Sequence, residues 1–140
     1  MQTKMDKAGL EAFLRDAFPQ AAGHFVVDHV AAMEATIRMP VHESHLRPGG
    51  TVSGPSMFAL ADVGVYLAVL AMIGPKALAV TTNASMDFMR KPEPGRDLLA
   101  ATRLLKLGRV LAVGDVLIRS DGQSAPVARA TLTYSIPPEC

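Results

Sequence analysis

Between Pro48 and Pro75 the chain carries a single Asp, Glu, Lys, Arg or His, and that residue is Asp62. Around it stand Met57, Phe58, Leu60, Ala61, Val63, Val65, Leu67, Val69, Leu70, Met72 and Ile73, apolar on every side of a helix. An unpaired buried carboxylate is costly, so such a group is paired, protonated or open to a cleft. Three readings follow: Asp62 hydrogen-bonds to backbone or to Tyr66 one turn on, it sits where the covering sheet leaves a gap, or it is a catalytic carboxylate. Gly54-Pro55 opens the same helix. Backbone N–H groups at a helix start lack intrahelical partners and attract negative charge, and glycine lets a substrate approach closely; the other reading, which the sequence alone favours, is an ordinary helix start. A carboxylate acting as base or nucleophile, with an N–H on the oxygen, is machinery for attack on a carbonyl. The two groups lie eight residues apart, which is about 12 Å at ~1.5 Å per helical residue. One carbonyl cannot touch both within a subunit. Joint action therefore requires a two-fold dimer with its sites at the interface.

The elements that must position these residues are legible from periodicity. Residues 6–18 read as an amphipathic helix with Leu10, Phe13, Leu14, Ala17 and Phe18 on one stripe, so an N-terminal helix is expected within residues 1–20. Met33, Ala35, Ile37 and Met39 alternate with polar residues, a half-buried strand, and residues 25–30 form an earlier strand paired with it. Residues 41–53 form a loop. The central helix is predicted over 55–73, between the proline at its first position and Gly74-Pro75. A helix apolar all round must be surrounded, and in a short chain only a curling sheet can do that. Four strands follow. Val80, Thr82, Ala84, Met86 and Phe88 face one way in the first; residues 98–107 alternate less cleanly; Val110, Ala112, Gly114, Val116 and Ile118 line the third; Ala128, Ala130, Leu132, Tyr134 and Ile136 line the fourth. Short turns at Pro92-Glu93-Pro94-Gly95, Gly108 and Asp121-Gly122 make neighbours antiparallel. The class is α+β, an antiparallel sheet wrapped around a long helix.

Composition narrows the function. The 140 residues suit one domain. With 49% hydrophobic and 19% charged residues and a net charge of +1, the chain is neither disordered nor a nucleic-acid binder, which needs a surplus of basic residues. The long apolar helix raises a membrane question, but Asp62 near its middle and the absence of flanking basic clusters favour burial inside protein. No targeting segment stands out at the start, and the one cysteine, Cys140, excludes a disulfide framework, so a reducing, cytoplasmic setting is expected. His24, His29, His42 and His45 lack metal-ligand spacing, so no metal or other cofactor is expected, and His45 reads as a solvated loop residue.

The apolar helix after a Gly-rich loop, with Met86-Asp87-Phe88-Met89-Arg90, Gly95-Arg96-Asp97-Leu98-Leu99-Ala100 and Leu105-Lys106-Leu107-Gly108-Arg109, resembles the hot-dog fold. Within that fold it is similar to the phenylacetate-pathway (PaaI-like) acyl-CoA thioesterase branch, over residues 24–136. The Gly54 to Asp62 spacing is the most specific marker. The resemblance implies hydrolysis of an aryl- or acyl-CoA thioester. The Gly54 N–H would polarise the carbonyl, Asp62 of the partner chain would be base or nucleophile, and Thr81 (or its neighbour Thr82) would help hold the water. It implies a homodimer or a dimer of dimers, with acyl-CoA as the partner molecule. Arg90, Lys91, Lys106 and Arg109 are candidates to meet CoA phosphates as one basic patch, or else solvated strand-end charges, and Phe58 and Tyr66 are candidates to line the acyl pocket.

Three positions, Ser53, Pro55 and Arg47, depart from the family pattern. Ser53-Gly54-Pro55 stands where the branch has His-Gly-Gly, and Arg47 stands at the Asn/Gln position seven residues before the glycine. Arg47 can donate to the thioester oxygen, or pair with Asp62 of the other chain. Those replacements leave a rival reading, a hot-dog dimer that binds acyl thioesters without hydrolysing them. A hydratase of this fold would use a His/Asp pair, and the helix holds no histidine near Asp62.

Overall fold

Asp6 caps the first helix by accepting the Gly9 N–H at 2.8 Å, and this helix, α1 (Lys7–Ala17), stops at Phe18. Pro19 cannot continue it and instead starts a four-residue turn of helix, α2 (Pro19–Ala22), so the N-terminal helical stretch is two pieces rather than one. In the computed structural model residues 2–138 are described; Cys140 lies outside the described residues. Strands β1 (Val26–Ala31) and β2 (Glu34–Met39) form a hairpin, with Met33 at φ 64° in its turn. Ala35, Ile37 and Met39 point inward, as their alternation predicts. The loop that follows contains a 3₁₀ turn (Glu43–His45) and delivers the chain to α3 (Gly54–Ile73).

Helix α3 is the core. Its 20 residues span about 30 Å, and β3 (Val80–Phe88), β4 (Leu98–Leu107), β5 (Leu111–Ser120) and β6 (Ala128–Ser135) complete the sheet that wraps it. All pairings are antiparallel, in the order β1-β2-β4-β5-β6-β3. Leu60, Val65, Leu67, Val69 and Leu70 are fully buried against Ile37, Leu98, Ile118 and Leu132 from the sheet. The helix passes for a membrane span on length and on its mean hydropathy of 2.0, but 72% of that stretch is buried inside the protein. The sheet accounts for its apolarity. Gly64 and Gly114 let helix and sheet approach: a Cβ on Gly64 would lie 2.7 Å from Thr102 Oγ1, and one on Gly114 2.8 Å from Val65 Cγ2.

Three features depart from the alternation read in the sequence. Bulges interrupt β4 between Leu104 and Lys106, and β3 between Thr81 and Asn83, which shifts the face of every residue beyond them. Strand β3 is a sheet edge, so its Val80 and Phe88 are more than half exposed, and Val110 lies before β5 and is exposed too. Finally, one stripe of α3 is not surrounded: Pro55, Phe58, Ala59 and Asp62, at helical spacing, are exposed or half-buried.

Candidate active site

The β3 bulge decides which threonine meets the helix. Thr81 pairs with Tyr134 across the β3–β6 ladder, and both side chains reach Asp62: the Thr81 hydroxyl donates to Oδ1 at 2.5 Å and the Tyr134 hydroxyl to the same oxygen at 2.8 Å. Tyr134 also lies 3.0 Å from the Asp62 carbonyl oxygen. Thr82 is the looped-out residue of the bulge, and its hydroxyl turns away to the Thr133 carbonyl. Among the described residues nothing donates to Oδ2. Two hydroxyls thus hold one carboxylate oxygen and leave the other available for chemistry. Burial, first, and the Asp62 charge push the Tyr134 phenol well above its ordinary range, so it stays a donor.

Asp62 stands where two clefts meet. One, of about 310 Å³, is lined by Phe18, Val63, Tyr66, Ala79, Thr81 and Tyr134 beside it. The other, of about 360 Å³, is mainly apolar, with Phe25, Met39, Ala59 and Val63, and has His24 and His45 in its wall. Tyr66 is not the partner of Asp62: its hydroxyl donates to the Ala77 carbonyl at 3.1 Å, and burial raises its phenol too. Phe58 is 38% exposed and lines neither cleft.

Gly54 belongs to a third cleft of about 590 Å³, with Arg47, Thr51, Val52, Met57, Phe88, Arg90 and Lys91. Among the described residues no carboxylate lines it. The Gly54 N–H begins the helix without a backbone acceptor among the described residues, and a Cβ there would touch the Phe88 ring at 3.4 Å. Ser53 does not face this cleft. Its Oγ accepts the Ser56 N–H and donates to Ser56 Oγ at 2.9 Å, so it works as the helix cap. Arg47 lines the Gly54 cleft and neither of the two beside Asp62 of its own chain.

The expected basic patch divides. Arg90 and Lys91 sit at the Gly54 end of α3, whereas Arg109 lines a cleft with Ile73 at the other end, and Lys106 flanks the same Gly108 turn. Strand β4 (Leu98–Leu107) separates them along the sheet, so Arg90 and Lys91 before its start do not meet Lys106 at its end or Arg109 beyond it in one protomer. His45, expected in solvent, is 6% exposed. No group of three His, Cys, Asp or Glu side chains suited to a metal ion occurs among the described residues. Sequence reasoning placed Tyr134 in the core and missed its contact with Asp62. The signal was there: an inward tyrosine needs a partner for its hydroxyl.

Comparison with known proteins places this architecture. The thioesterase superfamily model matches residues 49–127, which include α3, Asp62 and Thr81. A crystal structure of a thioesterase candidate from Silicibacter sp. TM1040 is 67% identical, covers 99% of this chain and 96% of its own, and superposes with a TM-score of 0.92. A mutant of the phenylacetic acid degradation protein PaaI from Thermus thermophilus is 31% identical over 85% of this chain and 99% of its own, with a TM-score of 0.73. A candidate esterase of Pseudomonas aeruginosa is 29% identical over 115 residues, 82% of this chain and 84% of that protein. The antiparallel sheet around a buried helix, the acid on that helix and these matches together make the chain a member of the thioesterase superfamily, a PaaI-like hot-dog thioester hydrolase.

Proposed function

We propose that the protein hydrolyses aryl- or acyl-CoA thioesters at a site shared by two subunits, each giving Asp62 to one site and Gly54 to the other. The observation that carries this reading is the course of β3. Its Thr81 end lies against Asp62 and its Phe88 end against Gly54, and it is an edge strand with unpaired backbone. Antiparallel pairing of two copies of β3 about residues 84–85 sets the Thr81 end of one beside the Phe88 end of the other. That brings Asp62 of one subunit to the Gly54 cleft of its partner and covers the exposed stripe of α3. The cations of the Gly54 cleft, Arg90 and Lys91, suit the phosphates of CoA, and Arg47 suits the developing oxyanion.

In the reaction the thioester oxygen accepts the Gly54 N–H. Asp62 Oδ2 then either takes a proton from water as the water oxygen attacks the carbonyl carbon, or attacks that carbon itself. Either way the C–S bond breaks and the sulfur leaves as thiolate, which takes up a proton. A direct attack leaves a mixed anhydride that water opens to the free acid. Thr81 and Tyr134 hold Oδ1 throughout, so Oδ2 keeps its aim.

A panel of aryl- and fatty acyl-CoAs with a thiol reporter tests the reading. Asp62→Asn is expected to lower kcat by about a hundredfold to ten-thousandfold, the usual worth of a positioned base, while sedimentation still reports a dimer. Binding of acyl-CoA without turnover by the unmodified protein would replace this reading with a non-hydrolytic thioester binder.

A further inference from the structure

His24, at the α2–β1 junction, and His45, on the loop 40–53, stand in the wall of the chamber beside Asp62, with the exposed His42 ring against His45, and the proposed reaction uses none of them. Their hydrogen bonds fix where the protons are. The His42 backbone N–H can only donate, and its acceptor at 2.9 Å is His45 Nδ1. A neutral His45 therefore carries its proton on Nε2. That nitrogen is 3.1 Å from His24 Nδ1, so His45 donates and His24 accepts. The chain of donors runs one way, from backbone to His45 to His24.

We infer that His24 and His45 form a clasp that positions the carbonyl-binding turn, and that a proton on either ring opens it. This rests on the reading of Gly54 as that turn. The mechanical link is short. The His45 carbonyl accepts the Ser53 N–H at 2.8 Å, and Ser53 is the cap of α3, next to Gly54. From the same loop, Arg47 N donates to the Thr51 carbonyl at 2.9 Å and Arg47 lines the Gly54 cleft. His45 is 6% exposed, and its ring stands edge-on to that of His24 at 5.2 Å between centroids. The side chain that faces the Asp62 chamber thus anchors the loop that shapes the Gly54 cleft. His45 and His24 are positioning residues; neither is placed on the substrate's reacting atoms.

Protonation acts by simple exclusion. A second proton on His45 sets an N–H against the His42 N–H. One on His24 Nδ1 sets it against His45 Nε2–H. Either change turns an acceptor into a donor and breaks a bond. The ionisable groups facing the pair are His42 beside the 3₁₀ turn and Asp62 on α3; α2 contributes Gln20, β1 is preceded by Phe25 and β2 contributes Met39, none of which titrates. Desolvation, with His24 and His42 nearby, holds the His45 imidazole below its ordinary range. The folded protein therefore resists the proton that the unfolded chain accepts. The clasp's contribution is complete above about pH 6.5 and is lost as pH falls from there through the lowered folded value.

Nitrogen NMR of the imidazoles at about pH 7.5, above the ordinary histidine range, reads the tautomers without any substrate. The expected spectrum has His45 and His24 both unprotonated at Nδ1; a protonated His45 Nδ1 overturns the clasp. Hydrogen exchange of amides 42–53 is the second arm. His24→Leu is expected to speed it by about fivefold, the loss of one hydrogen bond, and to lower kcat for acyl-CoA with little change in KM. His24→Asn, whose side-chain oxygen takes the place of Nδ1, restores both. Unchanged exchange in His24→Leu, or equal behaviour of the Leu and Asn variants, sinks the clasp. The tautomers and the exchange are read without turnover, so a protein that shows both but hydrolyses no acyl-CoA retains the clasp and loses the thioesterase reading.

Discussion

At Asp62 the decisive fact is that its two oxygens differ. Oδ1 receives Thr81 and Tyr134, whereas Oδ2 has no donor from the described residues. A carboxylate held on one side keeps its orientation, and orientation is worth much of a barrier when the attacking atom must meet a carbonyl within about 3 Å. Tyr134→Phe removes one of the two donors and leaves the ring packed 6.0 Å from Tyr66. A hydrogen bond to a charged group is worth about 1.5–3 kcal/mol, so kcat is expected to drop by about tenfold or more with KM nearly unchanged. Steady-state kinetics of the variant on the best acyl-CoA checks it, and an unaltered kcat would leave Tyr134 as a core residue only.

Among the elements, α3 and the sheet approach more closely than side chains ordinarily permit. The approach is possible because Gly64 faces Thr102 and Gly114 faces Val65. Thr102 Oγ1 is buried there without a hydrogen-bond partner among the described residues, a cost the fold carries to keep the helix near β4. Gly114→Ala drives a methyl to within 2.8 Å of Val65 Cγ2. Overpacking of this kind costs about 1–3 kcal/mol, so the urea midpoint should fall while the m-value stays constant. The outer rim is held differently. Arg38 on β2 gathers Asp28 of β1, Asp97 before β4 and Asp121 after β5, at 2.9–3.1 Å, and Arg38 in turn lowers the Asp121 carboxyl. That network ties four segments together, and Asp97 also accepts the Val41 N–H at 3.2 Å where the loop to α3 begins.

For the whole molecule, the unpaired edge of β3 and the bare stripe of α3 lie side by side, and natural sheets rarely leave such an edge uncovered. Ala84 is exposed near the centre of that edge. In the proposed dimer Ala84→Lys sets two like charges close together about the two-fold axis. Sedimentation is expected to show monomers at concentrations where the unmodified protein is dimeric. Turnover should disappear with the dimer, although Asp62, Thr81 and Tyr134 are untouched. A fully active monomer would remove the need for two chains.

The run of strands and the α+β class follow from periodicity, because burial of one face of a strand repeats every two residues, and the central helix follows from a long unbroken apolar run bounded by Gly54-Pro55 and Gly74-Pro75. Asp62 and Gly54 were legible for a related reason: a charge in an apolar run and a glycine at a helix start are local anomalies. The distance between them followed from helix geometry. Other features had no local mark. The bulge that turns Thr81 toward Asp62 and Thr82 away depends on how β3 sits on β6. The edge position of β3 depends on strand order, which side-chain alternation does not encode. Tyr134 lies 72 positions from Asp62, and His24 and His45 are 21 apart. Such partners are chosen by packing in three dimensions, so only the folded chain decides them.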